Sequence, residues 1–416
     1  MSPANERALV IVGASLAGLR AAESARSSGF TGKITIIGEE EHLPYDRPPL
    51  SKQYLGDGAE FPYLRETSTY TDSLNAELIL GQRATALRPQ EKKVQVGDTI
   101  VPYDALVIAT GSKPRQLPQY VGIAGIVTLR TAEDAAALRD GLGTATNITI
   151  VGAGIIGAEI ASAARQRGRN VTIIEATKYP LERAIGKEMG TLLSAMHERN
   201  GTDLRCGVTI ADVKTESGAV SSVVLDDGTE IPTDLMLVSI GVIPATSWLQ
   251  DSGIELRPDG SIACDENLQT NLKDVYAAGD VASWPNALTG FNGRLETWTS
   301  ANEQGAIAGR NAVTTEAKQS YATVPYFWSD WYGNRIQFAG GATGAEPHIV
   351  FGSAERDKFV ALYRAGDEVV GALAVNEPSK IMKDRRRIQN GTSWDELVDH
   401  YRELEMAAMQ DQAKAI

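Results

Sequence analysis

The chain has 416 residues, 43% hydrophobic and 22% charged, an ordinary globular composition too long for one core, so two to three domains are expected. A formal charge of −13 disfavours nonspecific nucleic-acid binding, which needs a net basic face. Two distant cysteines, Cys206 and Cys264, lie outside any CxxC; they fit a reducing compartment and supply no metal or dithiol motif.

The N-terminal "MSPANER" runs straight into "ALVIVGASLAGL". It has neither the basic start nor the cleavage site of a signal peptide, and the apolar run is too short to span a membrane. A cytoplasmic protein is expected. The stretch 8–40, "ALVIVGASLAGLRAAESARSSGFTGKITIIGEE", reads as strand, glycine-rich turn, Ala-rich helix and second strand ending in glutamate. The same order returns at 147–176, "NITIVGAGIIGAEIASAARQRGRNVTIIEA". This is the βαβ dinucleotide pattern, used twice. The second copy has the full G-x-G-x-x-G in Gly152, Gly154 and Gly157; the first keeps Gly13 and Gly18 but has Ser15 in the middle. Glycine there lets backbone approach a pyrophosphate, and serine is the smallest polar replacement. Glu39 follows Gly13 by 26 residues and Glu175 follows Gly152 by 23, the distance at which a carboxylate meets ribose hydroxyls. A lone motif can be a structural turn; two with matching helices and acids point to two nucleotide sites.

Between the copies, "HLPYDRPPLSK" (42–52) holds three prolines, two cations and a carboxylate, which by itself reads as a surface loop. "VPYDALVIATGSKPR" (101–115) and "IPTDLMLVSIGVIPA" (231–245) form a second echo, each a strand entering a glycine turn and a proline. They mark unit edges: residues 113–239 are expected as an insertion in a domain built from 1–112 and 240–318. In "DVYAAGDVA" (274–282) a strand ends at Gly279-Asp280 and a helix is predicted to follow. Asp280 would cap that helix or reach a ribityl hydroxyl, with the helix N-terminus facing a ring that gains charge on reduction. Residues 319–416 read as a third unit, with strands at "RIQFAG", "KFVALYR" and "EVVGALAV", helices at "PSKIMKDRRRIQNG" and "SWDELVDHYREL", and a frayed tail "EMAAMQDQAKAI". Aromatic "YFWSDWYG" is compatible with plain core.

Taken together, "VIVGASLAG", "YDRPPLSK", "ATGSKPR", "VGAGIIGAEIA", "VTIIEA", "AAGDVA", "RLETWTSANEQG" and "PYFWSDWYG" resemble the FAD-dependent, NAD(P)H-linked ferredoxin reductases of oxygenase systems, over about residues 7–400. The resemblance implies an α/β fold with two Rossmann-like dinucleotide-binding domains, as in glutathione-reductase-like flavoproteins, and an α+β C-terminal interface domain. The domain of 1–112 and 240–318 would bind FAD, and 113–239 would bind NADH. It places the proline segment beside the flavin, with Lys52 near the hydride-accepting edge and paired with Glu159; the bland reading of Glu159 is a solvated helix acid. Arg47 would serve the FAD phosphates or the loop's own carboxylates. Ser15, Leu16 and Ala17 would present backbone to the pyrophosphate, Glu39 would bind the adenosine ribose, and Ala84 would meet adenine through its backbone. Thr110, Gly111, Arg130, Gly279, Glu296 and Trp298 would line the flavin site, and Trp328 the flavin or the electron exit. Ile155, Ile156, Glu159, Glu175, Arg183 and Gly241 match positions that contact NADH.

The implied activity is hydride transfer from NADH to FAD, then single electrons to an acidic [2Fe-2S] ferredoxin that supplies an oxygenase, in a monomer or homodimer. Members often follow Glu-Gln with Ala-Arg, the arginine docking the ferredoxin. Here the stretch is Glu303-Gln304-Gly305-Ala306, with Arg310 one turn later, so Arg310 and Arg65 are the docking candidates. Reduction of a quinone or other small acceptor, and a signalling flavoprotein, are the competing readings. Thiol chemistry is disfavoured because no cysteine precedes Cys206.

Overall fold

The computed structural model describes residues 7–56 and 58–414. The chain divides into two compact units, one of Met1–Pro48, Glu60–Lys113 and Val242–Thr323, the other of Pro49–Ala59, Pro114–Gly241 and Val324–Ile416. Residues 1–6 of the expected first domain lie outside the described residues. Among those described, no helix is long and apolar enough to cross a membrane.

The first unit is built on a five-stranded parallel sheet, in spatial order Ala76–Ile79, Lys33–Ile37, Ala8–Val12, Ala105–Ile108 and Val275–Ala277. Alternation sends Leu9 and Ile11 into one core and Val10 and Val12 into another, so both faces are covered. A three-stranded antiparallel sheet, Ala84–Arg88, Lys93–Val96 and Thr99–Pro102, interrupts the parallel one in sequence.

The second unit repeats the plan. Its parallel sheet runs Asp203–Cys206, Asn170–Glu175, Asn147–Val151, Leu235–Val238 and Ile126–Val127. The strands Ile210–Glu216, Ala219–Leu225 and Glu230–Pro232 form the matching antiparallel insert. The second sequence echo is thereby explained: Ala105–Ile108 pairs with the first strand of one copy and Leu235–Val238 with that of the other.

The C-terminal segment is a five-stranded antiparallel sheet, Tyr326–Trp331, Asn334–Gly340, Glu368–Val375, Lys358–Ala365 and Glu346–Ser353. One face packs with helix Lys187–Arg199 through Trp331, Phe338, Leu193 and Met196. The other covers Ile381, Leu397 and Tyr401 of the last two helices. The segment therefore shares a core with the second unit, where sequence reading treats 319–416 as a unit of its own.

Three further expectations change. Residues 49–59, assigned by sequence to the first domain, belong to the second unit: Leu55 is buried among Leu138, Ile160 and Ala164, and the Arg139 guanidinium lies 5.1 Å from the Tyr54 ring centre. No helix follows Gly279-Asp280. Gly279–Val281 makes a single 3-10 turn and the chain continues as strand Ala282–Pro285, paired with Ile262–Ala263 and Asn292–Gly293; Pro285 and the apolar run favour that strand over a helix. The tail expected to fray instead continues helix Trp394–Lys414, with residues 415–416 outside the described set.

Candidate functional site

Both glycine turns sit where parallel strands end together, at Val12 beside Ile37 and Ile108, and at Val151 beside Ile174 and Val238. Gly13 has φ +126°, and a Cβ there would lie 2.0 Å from the Ala109 carbonyl oxygen; at Gly152, φ +105°, it would lie 2.3 Å from that of Ser239. Neither position admits a side chain. Gly18 and Gly157 close the turns, since a Cβ on them would strike the Gly13 and Gly152 carbonyls at 1.9 and 2.2 Å. The middle position differs. A Cβ at Gly154 would meet nothing within 4 Å, which explains why Ser15 is accommodated in the first copy.

The helices that leave these turns, Leu16–Ser27 and Ile155–Gln166, start with no side-chain cap. Helix Ala132–Thr144, by contrast, has a full capping box from Thr131 and Asp134, and Trp298–Val313 is capped by Thr297. Helix N-termini with their first-turn amides left to a ligand are anion sites. Each glycine turn brings backbone close and opens such a helix, so each unit has its own cradle of a kind that fits a dinucleotide pyrophosphate.

Around the first turn, Glu39 is exposed at its strand end, with Lys113 Nζ at 3.5 Å and Arg83 at 3.7 Å. Arg47 is held by Glu40 at 2.7 Å and by the Tyr45 hydroxyl at 3.0 Å. Burial disfavours its charge, but Tyr45, Glu40 and Asp280 more than offset this and raise the guanidinium pKa above its ordinary value. Asp280 accepts from the Ser112 hydroxyl at 2.8 Å and caps no helix. Thr110 donates to the Ala245 carbonyl at 3.0 Å, and Gly111 takes φ +68°. Ala84 is buried in a strand opposite Val96. Trp298 opens its helix and donates from its indole N–H to Asp46 at 2.7 Å, while Glu296 is exposed and paired with Arg294.

Sequence reasoning missed Gln304. It is wholly buried, and its side-chain oxygen accepts from the Gly279 amide at 2.8 Å. It thereby fixes the turn that presents Asp280. Its neighbour Gly305 exists for packing: a Cβ there would fall 2.3 Å from the Ala17 carbonyl, and one at Gly309 would fall 2.1 Å from that of Ala21. The helix Trp298–Val313 thus lies backbone-to-backbone on the helix of the first glycine turn. Arg65 pairs with Glu23 at 2.8 Å, a carboxylate that Arg20 also contacts. Arg310 has its nearest carboxylate, Glu316, at 4.0 Å.

In the second unit, Lys52 Nζ lies 2.8 Å from Glu159 Oε1, with Glu159 nearly inaccessible (2% of its side chain) and Lys52 at 16%. The carboxylate also accepts from Ser51 through Oε2 and from Ser329 through Oε1, the latter at 2.5 Å. Glu159 is therefore not a solvated helix acid. Glu175 accepts from the Ala153 amide at 2.9 Å and from the Thr177 amide and hydroxyl, each at 2.8 Å. A carboxylate offers about four acceptor sites, so a ribose hydroxyl still has one. Ile155 and Ile156 begin the uncapped helix, Arg183 is exposed on the short helix Glu182–Ile185, and Gly241 accepts from the Arg115 amide at 2.9 Å. Arg130 donates its amide to Asp134 at 2.8 Å, just before the capped helix. Trp328 lies under the Arg335 guanidinium, packed in the core on the opposite sheet face from Trp331, and so is not brought to Glu159.

Both cysteines are free, Cys206 in the second unit and Cys264 in the first. Burial pushes both thiols up, that of Cys264 to about 12, which disfavours the thiolate needed for dithiol chemistry.

Known proteins match this architecture. The family model described as pyridine nucleotide-disulphide oxidoreductase matches residues 7–305, and the reductase C-terminal model matches residues 326–408. Rhodocoxin reductase of Rhodococcus erythropolis is 34% identical, covering 91% of this chain and 88% of that protein. Apoptosis-inducing factor 3 of Homo sapiens is 33% identical over 92% of this chain, which spans 63% of the human protein. Putidaredoxin reductase, solved in covalent complex with putidaredoxin, superposes with a TM-score of 0.88 at 29% identity, covering 93% of this chain and 94% of that one. The chain belongs to the pyridine nucleotide-disulphide oxidoreductase family and carries that family's reductase C-terminal domain.

Proposed function

We propose that the protein is an NADH-dependent, FAD-containing reductase that passes electrons to an acidic [2Fe-2S] ferredoxin serving an oxygenase. The observation that carries this reading is the pair of glycine cradles with uncapped helices, one in each unit, in a chain similar over nearly its full length to the ferredoxin reductase components of dioxygenase systems. FAD in the first cradle supplies the step from two-electron to one-electron chemistry. This chain's residues do the rest. The first-turn amides and the backbone of Ser15 hold the pyrophosphate, Glu39 orients a ribose, and Asp280 offers an acceptor to the ribityl chain. Glu175 holds the nicotinamide-bearing dinucleotide by its ribose, and Lys52 presents a fixed positive charge where negative charge grows as hydride arrives. Rapid bleaching of a yellow protein by NADH, with cytochrome c reduced only when a ferredoxin is added, tests the proposal. Bleaching with no ferredoxin-dependent turnover would favour the signalling reading that the apoptosis-inducing factor 3 likeness allows.

Glu175 sets an expected cofactor preference. A carboxylate that accepts from a ribose 2′-hydroxyl repels a 2′-phosphate, so kcat/KM should favour NADH over NADPH by about 10- to 100-fold, or ~1.4–2.8 kcal/mol. Lys178, three residues on in the chain, is the cation that would soften the repulsion. Equal kcat/KM for the two cofactors would reject the assignment.

Docking of an acidic partner on a chain of charge −13 needs a local basic patch. Arg65 and Arg20 share the one carboxylate of Glu23, and Arg310 adds a further cation. The double substitution Arg65→Glu, Arg310→Glu should slow ferredoxin-dependent cytochrome c reduction and spare ferricyanide reduction. Salt should weaken the ferredoxin reaction, since exposed charges are screened beyond ~8–10 Å at 0.1–0.15 M. A double variant as fast as the parent at low salt would move the docking surface elsewhere, with the basic stretch 383–387 as the next candidate.

A further inference from the structure

The aromatic segment of strand Tyr326–Trp331 holds a serine whose role the activity above does not use. Ser329 is wholly buried and lies between two partners. Its hydroxyl donates to Glu159 Oε1 at 2.5 Å, and its oxygen accepts from the Trp331 indole N–H at 2.7 Å. An indole nitrogen is only a donor. The Trp331 contact therefore occupies a lone pair of Ser329 and leaves the serine proton to point at the carboxylate. Trp331 cannot easily move: it is fully buried, with the His197 ring stacked on it at 5.4 Å. Residues two apart on a strand share a face, which is why Ser329 and Trp331 meet on the Glu159 side while Trp328 does not. On the other oxygen, Ser51 donates from the residue just before Lys52. The carboxylate is thus held by two hydroxyls, and the ammonium of Lys52 is held by the carboxylate.

We propose that Ser329, oriented by Trp331, is a positioning residue for Lys52, acting through Glu159. The inference rests on the role given to Lys52 above. Without the Ser329 hydroxyl, Oε1 loses a donor and the carboxylate can rotate, so Lys52 samples several orientations instead of one. A loosely held charge stabilises developing charge less well than a fixed one.

The test uses the purified flavin-containing protein with two readouts. In stopped flow, Ser329→Ala should slow flavin reduction by NADH about 5- to 10-fold at saturating NADH, with its KM for NADH unchanged. The same substitution in a Lys52→Met background should add less than about twofold, because its target is gone. Trp331→Phe, which keeps an aromatic side chain but removes the indole N–H together with its five-membered ring, should slow reduction about 2- to 5-fold, and it decides the matter if Ser329→Ala does not fold. Independently of turnover, acetic anhydride labelling of Lys52, read by mass spectrometry, should be at least about threefold faster in Ser329→Ala and in Trp331→Phe. Neither change should add to the labelling seen with Glu159→Gln. Parent-like labelling of Lys52 in both variants would overturn the inference, as would a slowing by Ser329→Ala that is equal with and without Lys52. A Lys52→Met variant that reduces its flavin at the parent rate would instead sink the role of Lys52, and the labelling experiment would still judge the positioning.

Discussion

Lys52→Met should retain FAD and bind NADH but reduce the flavin at least about tenfold more slowly, the scale seen when a single preorganised electrostatic group is removed. Its effect falls on the rate because the charge it stabilises appears only as hydride arrives. The structure also sets the cost to the fold. Breaking a buried ion pair by removing one partner costs about 3–5 kcal/mol. Here Ser51 and Ser329 still donate to Glu159, so the loss should fall below that range. The double variant Lys52→Met, Glu159→Gln removes the stranded carboxylate and should recover part of the lost Tm without recovering the rate. Stopped-flow absorbance near the flavin band (about 450 nm), with flavin content measured for each variant, is the assay. An unchanged rate at full flavin content would overturn the role.

Alanine at Gly13 or Gly152 should separate the two nucleotide sites. Both glycines have φ in the region that side chains avoid, and at each the new Cβ would fall within 2.3 Å of a backbone carbonyl oxygen. The forced backbone alone costs about 1–3 kcal/mol, and the clash adds a shift of the turn away from its strand. Gly152→Ala should keep the yellow colour while raising KM for NADH by about tenfold or more. Gly13→Ala should instead purify with little flavin while still retaining the NADH site. Ser15→Gly is the control, since the middle position has room for a side chain, and flavin content should be unaffected. Flavin loss and NADH weakening that appear together in both alanine variants would mean that the turns do not serve separate sites.

Much of this was legible in the sequence because short-range rules govern it. Alternating apolar runs, glycines that must take positive φ, and a carboxylate closing each second strand all act within about thirty residues, and the repeat made the two sheets readable as one plan used twice. The sequence also placed Lys52 and Glu159 as partners, though only through resemblance to a family. What it did not show depends on which surfaces meet. "DVYAAGDVA" reads as strand then helix, but Pro285 and pairing with Ile262–Ala263 carry it on as a strand. Residues 49–59 follow the first nucleotide motif in the chain yet pack with the second, because the apolar Leu55 finds its core among Leu138, Ile160 and Ala164. The serines that hold Glu159 lie 108 and 170 residues from it. Hydroxyl partners at such distances leave no periodicity or spacing to read, since a hydrogen bond is specified by where two backbones come to rest, and only the folded chain decides that.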